Sequence, residues 1–327
     1  MTLVVRVQAA RTAGFDLIEC FESIAANIGR VIQGRDHVIR LALVCLISEG
    51  HLLLEDVPGV GKTSLAKALA VSLDCRSSRI QFTPDLLPSD VTGVSVYNRA
   101  KGAFEFRAGG IFANIVVGDE INRASPKTQS ALLEAMEESQ VSVDGATYRL
   151  PAPFMVVATQ NPMGNEGTYP LPGSQLDRFL MRTTVGYPSR ADEMAMLDAH
   201  AGVRVIDGLG AVASPAEVGA MVEIARSTYV APGVKSYVVD LAQVTRTHPD
   251  LELGMSPRAS LALLRASRAW ASASGRGFVT PDDIKEMVDP VLSHRLVLSP
   301  GAGTASASDV LGDIIGRLPV PGPSTLR

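Results

Sequence analysis

The stretch VPGVGKTS at residues 57–64 constrains the fold of this chain more than any other feature of its sequence. It follows an apolar run, HLLLE at 51–55, and overlaps the start of SLAKALAVSL at 64–73, whose apolar residues recur with helical spacing. A strand, a glycine-rich loop and a helix in this order can bind phosphate, because the backbone N–H groups at the start of the helix point toward a bound anion. The alternative interpretation is a plain flexible turn.

The consensus for a nucleotide-binding loop is G-x-x-x-x-G-K-[ST], and Asp56 stands where its first glycine belongs. The rest of the stretch fits the consensus, so the sequence predicts a loop that binds nucleotide phosphates. We expect Lys62 to contact the β- and γ-phosphates and Thr63 to bind Mg²⁺ through its hydroxyl. The predicted phosphate-binding residues are Pro58, Gly59, Val60, Gly61, Lys62, Thr63 and Ser64.

Five short β-prone apolar runs predict the fold around this loop. They lie at 51–55, 79–82, 114–119, 154–159 and 179–185, interleaved with helical patterns at 62–73, 125–139 and 189–200. Runs that are apolar on both faces are typical of a parallel sheet covered by helices. The sequence therefore predicts an α/β fold, whose ligands bind beyond the carboxyl ends of the strands.

Polar residues follow the third and fourth of these runs. Asp119 and Glu120 come at the end of NIVVGDE, and Asn161 comes directly after FMVVATQ. The first carboxylate suits the shell of a metal ion and the second suits the polarisation of an attacking water, which the Asn161 amide could orient. The alternatives are two solvated acids and an asparagine that forms a turn before Pro162.

Charge and hydropathy disfavour other classes of protein. The chain has 327 residues and a formal net charge of −4, so it lacks the basic surface typical of proteins that bind nucleic acid. The apolar helical segment LALVCLIS at 41–48 is too short to be a transmembrane segment, and the N-terminus lacks the pattern of a signal peptide. We therefore expect a cytoplasmic protein. Its three cysteines lack metal-ligand spacing and are interpreted as core thiols.

The second half of the sequence has a different character. From about residue 189 onward the pattern predicts successive helices and no further strands, and several helices open on a capping signature. These signatures are Ser214-Pro215, Ser256-Pro257 and Thr280-Pro281. The predicted domains are a nucleotide-binding core at residues 1–188 and a helical domain at 189–327 that ends in a flexible segment.

The motifs PGVGKT, DEINRA, ATQNP, LPGSQLDRF and GMSPRAS together resemble those of the MoxR family of AAA+ ATPases, from about residue 30 almost to the C-terminus. The resemblance implies an αβα core with a parallel five-stranded sheet, a helical lid, and ATP with Mg²⁺ as cofactors. It also implies a homo-oligomeric ring, usually a hexamer. Such proteins are expected to act as chaperones that mature client proteins or load metal into them, and the clients often have a von Willebrand factor A domain.

The resemblance also assigns roles to two arginines. Arg178 matches the arginine finger that enters the nucleotide site of a neighbouring subunit, and the alternative is a structural ion pair with Asp177 or Glu134. Arg258 matches the lid arginine that senses the γ-phosphate. An arginine in the first turn of a helix opposes the positive end of the helix dipole, and a bound anion would offset that conflict. The alternative for Arg258 is an exposed surface position.

Two segments predict β-hairpins. QVSVDGATYRL at 140–150 alternates apolar and polar residues around Asp144-Gly145. The segment at 94–112 resembles an insert that points toward the ring pore in related proteins. The family commonly has proline near 108–110 and alanine at 118, whereas this chain has Ala-Gly-Gly and glycine there. The alternative interpretation is that both segments are ordinary surface hairpins.

Three functions remain open from the sequence. The first is an oligomeric ATPase that remodels protein partners, the second a nucleic-acid motor or DNA-bound regulator, and the third a nucleotide-gated binding module with little turnover. The acidic net charge disfavours the second. The presence of Glu120 and Arg178 disfavours the third.

Overall fold

The computed structural model describes residues 11–12, 15–57, 59–161, 168–199 and 205–322, and the helices and strands below lie within these ranges. The first half contains β1 (Arg11–Thr12), β2 (Phe15–Asp16), α1 (Leu17–Gly29), α2 (Asp36–Ile47), β3 (Leu52–Glu55), α3 (Lys62–Ser72), β4 (Ser77–Gln81), α4 (Pro88–Thr92), β5 (Gly93–Asn98), β6 (Ala103–Ala108), β7 (Ile115–Asp119), α5 (Pro126–Glu138), β8 (Gln140–Val143), β9 (Ala146–Arg149) and β10 (Met155–Gln160). The second half contains α6 (Gly173–Leu176), β11 (Met181–Thr183), α7 (Arg190–Ala199), α8 (Pro215–Ser227), α9 (Pro232–Thr247), β12 (Leu251–Leu253), α10 (Pro257–Ala273), α11 (Pro281–Leu292), β13 (Val297–Leu298) and α12 (Ala307–Arg317).

A five-stranded sheet in the order β11-β3-β10-β7-β4 carries the site. The pairs β3–β10, β10–β7 and β7–β4 are parallel, as predicted from runs that are apolar on both faces. Each of the five runs predicted as a strand overlaps one strand of this sheet. Because the strands are parallel, the ends of β3, β10, β7 and β4 lie along one edge, and the loops that follow them carry the candidate functional residues.

The chain divides into two compact units. The core unit comprises Ser23–Phe179 and Thr183–Val218, and the lid unit comprises the chain from Gly219 onward with Leu180–Arg182 and the N-terminal segment up to Glu22. In the core unit, buried side chains of the sheet pack against α5. This hydrophobic cluster includes Leu53, Val116, Leu132, Val156 and Phe179, none of which is exposed.

The lid unit is mainly helical. Ser256 Oγ accepts a hydrogen bond from Ala259 N (3.1 Å) at the start of α10, and Thr280 Oγ1 accepts one from Asp283 N (3.3 Å) at the start of α11, so these two of the three predicted caps are confirmed. The expectation of no strand after residue 189 was wrong in detail, because β12 and β13 form a small antiparallel sheet. Strands of three and two residues are too short to show a period-two pattern in the sequence.

Both predicted hairpins form within the core unit. β5 pairs with β6 and β8 pairs with β9, each antiparallel, and Asp144 and Gly145 at the second turn both have positive φ angles (50° and 79°). Positive φ at both central residues is the conformation that an Asp-Gly pair favours in a tight hairpin turn. Among the described residues, no helix is both long enough and apolar enough to span a membrane.

Candidate functional site

The glycine-rich loop connects the end of β3 to the start of α3. Gly59 and Gly61 have φ angles of 87° and 94°, and Gly61 is the N-cap residue of α3. Only glycine adopts such backbone angles without strain, which explains the spacing of the two glycines. The backbone N–H groups of the first turn of α3 have no side-chain cap and are of the kind that can bind an anion. Pro58, which the sequence places in this loop, lies outside the described residues.

Lys62 begins α3, and its ammonium group donates hydrogen bonds back to the loop. The acceptors are the carbonyl oxygens of Asp56 and Val57, the latter at 3.1 Å. Partial burial lowers the pKa of Lys62 below its ordinary value, while the negative charges of Asp56, Asp119 and Glu120 oppose that shift. These three carboxylates therefore favour the charged ammonium in a partly desolvated place.

Asp56, at the position where the loop consensus has glycine, has a structural role. Its Oδ1 accepts a hydrogen bond from Val57 N at 2.7 Å, and its Oδ2 accepts one from Gly186 N. The carboxylate thus joins the glycine-rich loop to the segment that follows β11. The departure from the consensus leaves the glycine conformations of the loop in place.

Asp119 ends β7 and its side chain is only 8% exposed. Thr63 Oγ1 lies 3.3 Å from both carboxylate oxygens, and Thr159 Oγ1 donates to Oδ1 at 3.3 Å. Arg79 Nε lies 2.6 Å from Oδ2. The fold therefore brings the predicted metal-binding residues Thr63 and Asp119 into contact, and Arg79 neutralises the carboxylate.

These two residues fit a magnesium ion. Hydroxyl and carboxylate oxygens are ligands that Mg²⁺ prefers, and it usually takes only one or two from the protein, with waters and phosphate oxygens completing the shell. The part of the chain that the structure describes has no group of three or more His, Cys, Asp or Glu side chains able to hold a metal alone. The donor set at Thr63 and Asp119 thus suits Mg²⁺ bound together with a nucleotide.

Glu120 follows β7 in a left-handed conformation, with φ 56° and ψ 50°. Its backbone N donates to Thr159 Oγ1 at 3.0 Å, which helps to hold this uncommon conformation. The carboxylate accepts from Gln81 Nε2 at 3.2 Å and pairs with Arg123 Nε at 3.0 Å, and the side chain is 31% exposed. Glu120 is therefore accessible while being held by two neighbours.

Asn161 directly follows β10, the strand between β3 and β7 in the sheet. Its neighbour Gln160 pairs in register with Glu55 at the end of β3, and the Gln160 carbonyl accepts from Asp56 N at 3.2 Å. The half-buried Asn161 consequently lies at the same sheet edge as the loop and the two carboxylates. Ser64, also half-buried, lies in the first turn of α3.

The two arginines assigned by resemblance lie in different units. In the core unit, Arg178 Nη1 donates to the Leu133 carbonyl at 2.7 Å and pairs with Glu137 Oε2 at 3.1 Å, both on α5. The structural ion pair considered from sequence therefore forms, but with Glu137 instead of Asp177 or Glu134. Arg258, in the lid unit, lies in the first turn of α10 as predicted.

Sequence reasoning missed three polar residues at this site. Arg79 and Gln81 lie on β4 and contact Asp119 and Glu120, and Thr159 on β10 contacts both acidic residues. The run RIQF did carry a signal, because exposed Arg79 and Gln81 alternate with buried neighbours. Which strand lies beside β4 depends on the sheet order, which that run alone does not reveal.

Comparison with known proteins identifies the family. Residues 51–181 match the family described as ATPase family associated with various cellular activities (AAA), and residues 243–314 match the AAA lid domain. The chain is 46% identical to the uncharacterised protein YeaC of Bacillus subtilis, over 94% of this chain and 96% of that protein. It is 41% identical to Chaperone MoxR1 of Mycobacterium tuberculosis, over 86% of this chain and 77% of the relative.

A solved structure agrees with these matches. The crystal structure of a candidate ATPase from Cytophaga hutchinsonii superimposes with a TM-score of 0.87 at 34% identity, over 94% of this chain and 96% of that one. The sequence relatives and the structural relative both extend across nearly the whole length of this chain. The chain, with its parallel αβα core and its helical lid, belongs to the MoxR family of AAA+ ATPases.

Proposed function

We propose that this protein hydrolyses ATP with Mg²⁺ and couples the reaction to the remodelling or maturation of protein partners. The observation that carries the proposal is the convergence of Lys62, Thr63, Asp119 and Glu120 at one edge of the sheet, with Thr63 and Asp119 in direct contact. A phosphate-binding loop alone could serve a binding protein. An accessible carboxylate next to a metal-binding one supports hydrolysis.

Each residue has a distinct part in the proposed reaction. When ATP binds, the Lys62 ammonium leaves the loop carbonyls and contacts the outer phosphates. Thr63 and Asp119 would hold Mg²⁺, which when bound neutralises charge on the phosphates. Glu120 accepts a proton from the attacking water, and Asn161 orients that water. The backbone N–H groups from Gly59 to Ser64 bind phosphate oxygens.

We also propose that Arg178 completes the site of a neighbouring subunit in a homo-oligomeric ring, the hexamer that the resemblance implies. The ion pair with Glu137 holds Arg178 on its own subunit's α5, so engaging a neighbour requires that this pair opens. Arg258 would sense the γ-phosphate from the lid. The division into a core at residues 1–188 and a lid at 189–327 stays a prediction.

A mixing experiment tests the shared site. Arg178→Ala should keep its ATP affinity but lose about 10³–10⁵-fold in turnover, the usual value of an arginine supplied in trans. Mixing it with Lys62→Ala should restore hydrolysis, because an intact loop can then receive Arg178 from a Lys62→Ala neighbour. Glu137→Gln is the matched control, since it breaks the same ion pair while keeping the arginine. Equal inactivation by Glu137→Gln and no rescue in the mixture would exclude the shared site.

The proposed clients are proteins, and a relative named Chaperone MoxR1 supports a chaperone role. A partner with a von Willebrand factor A domain, and metal loading of that partner, are finer proposals from the family resemblance. A pull-down with Glu120→Gln in ATP tests them, because a variant that binds ATP without hydrolysing it should retain its client. Retention that also occurs with Lys62→Ala would not depend on the nucleotide and would contradict the proposal.

The second candidate function is a nucleic-acid motor on the same core. It predicts that DNA stimulates turnover, whereas a protein remodeller with net charge −4 should be insensitive to DNA. Steady-state ATPase measurements with and without DNA separate the two. A nucleotide-gated module, the third candidate, would bind ATP in the same assay and show negligible turnover.

A further inference from the structure

Arg79 is the cationic partner of Asp119, and the two side chains differ in their surroundings. The Nε–Oδ2 distance is 2.6 Å, with the Arg79 side chain 54% exposed and the Asp119 side chain 8% exposed. A buried carboxylate needs charge compensation far more than an exposed guanidinium does. The pair therefore mainly compensates the negative charge of the buried Asp119 carboxylate.

Apart from Arg79, the hydrogen-bond partners of the Asp119 carboxylate among the described residues carry no positive charge. Thr63 and Thr159 are neutral hydroxyl donors, and the nearby Lys62 ammonium donates to carbonyl oxygens of its own loop. Within the described parts of the chain, Arg79 supplies the ion pair to this carboxylate. Its position at Oδ2 places a full positive charge against the group that would hold Mg²⁺.

The same guanidinium also reaches the second carboxylate through an amide. Arg79 Nη2 donates to Gln81 Oε1 at 3.1 Å, and Gln81 Nε2 donates to Glu120 Oε2 at 3.2 Å. Because Gln81 Oε1 accepts from Arg79, the amide nitrogen faces Glu120. Arg79, an exposed arginine on β4, thus contacts Asp119 directly and is linked to Glu120 through the Gln81 amide.

We infer that Arg79 is a positioning residue that holds the two carboxylates in the absence of metal and competes with Mg²⁺ for Asp119. The inference rests on the proposed function of the site. A guanidinium and Mg²⁺ bind the same carboxylate oxygens, and their charges repel each other at this distance. Arg79 therefore raises the Mg²⁺ concentration that the nucleotide site needs.

The test is a Mg²⁺ titration of thermal stability with a non-hydrolysable ATP analogue, which reads binding instead of turnover. Arg79→Gln should lower the Mg²⁺ midpoint by about two- to fivefold, the size expected for removing one partly exposed ion pair. In EDTA without nucleotide the same variant should melt below the wild type, because Asp119 has lost its counter-ion. Arg79→Lys, which keeps the charge, should keep the Mg²⁺ midpoint near that of the wild type.

Arg76→Gln is the matched control, since Arg76 is exposed three residues earlier and its substitution changes net charge equally. It should leave both the Mg²⁺ midpoint and the melting temperature in EDTA unchanged. A Mg²⁺ midpoint for Arg79→Gln equal to that of Arg76→Gln would overturn the inference. A wild-type protein that shows no stabilisation by Mg²⁺ and the analogue would instead overturn the proposed function.

Discussion

His51 makes two buried hydrogen bonds that join three elements of the core, and replacing it should destabilise the sheet that carries the site. Its Nε2 donates to the Met136 carbonyl at 2.9 Å near the end of α5, and its Nδ1 accepts from Val156 N at 3.0 Å on β10. The residue directly precedes β3 and is 7% exposed. His51→Ala would leave a buried carbonyl and a buried N–H without these partners.

The cost follows from the number of groups left unpaired. Each unsatisfied buried group costs about 1–3 kcal/mol, so the two together should lower the free energy of unfolding by about 2–6 kcal/mol. His51→Asn can still offer an acceptor near Val156 N, and His51→Gln a donor near the Met136 carbonyl. Each of these variants should therefore lose roughly half as much as His51→Ala.

Urea denaturation followed by circular dichroism measures this loss, and hydrogen exchange of the Val156 amide locates it. His51→Ala and His51→Gln should accelerate exchange at Val156, whereas His51→Asn should largely preserve protection. A destabilisation of His51→Ala below about 1 kcal/mol would refute the reasoning, because a single satisfied hydrogen bond already contributes that much. Unchanged Val156 exchange in all three variants would also contradict it.

Two further predictions concern the lid unit and a thiol. Asp283 is 2% exposed, accepts a hydrogen bond from Thr280 N and pairs with Arg276. Asp283→Ala should therefore lower the free energy of unfolding of the lid unit by about 2–4 kcal/mol, measured by urea unfolding followed by Trp270 fluorescence. Thr280→Ala removes only one cap and should cost about 1 kcal/mol. A smaller loss for Asp283→Ala than for Thr280→Ala would contradict this. Burial and, secondarily, a neighbouring carboxylate raise the pKa of Cys75 to about 11, so little of this thiol is ionised at pH 8. The rate of its alkylation by iodoacetamide, followed by mass spectrometry, should therefore increase about tenfold per pH unit up to about pH 11. A plateau near pH 9 would show an ordinary thiol.

The sequence predicted those parts of the fold that depend on local pattern. The runs around Leu53, Val116 and Val156 are apolar on both faces, which is sufficient to predict buried parallel strands, and all three side chains are buried. The caps at Ser256 and Thr280 were also predictable, because a capping signature involves residues within one helical turn. The predicted phosphate-binding loop has the expected place between β3 and α3.

Contacts between distant segments could not be predicted in the same way. Arg79 meets Asp119, and His51 meets Val156, only because of the order and register of the strands, which no single segment specifies. The partner of Arg178 shows the same limit. Glu134 and Glu137 lie one turn apart on α5, and the structure places the arginine on Glu137.

The division of labour between Lys62 and Glu120 tests the central claim most directly. Equilibrium ATP affinity and steady-state turnover should be measured for Lys62→Ala and Glu120→Gln beside the wild type. Glu120→Gln should keep ATP affinity close to the wild-type value and lose about 10²–10⁴-fold in kcat, whereas Lys62→Ala should lose ATP binding itself. Equal loss of affinity in both variants, or wild-type turnover in Glu120→Gln, would contradict the account of this site as an ATPase centre.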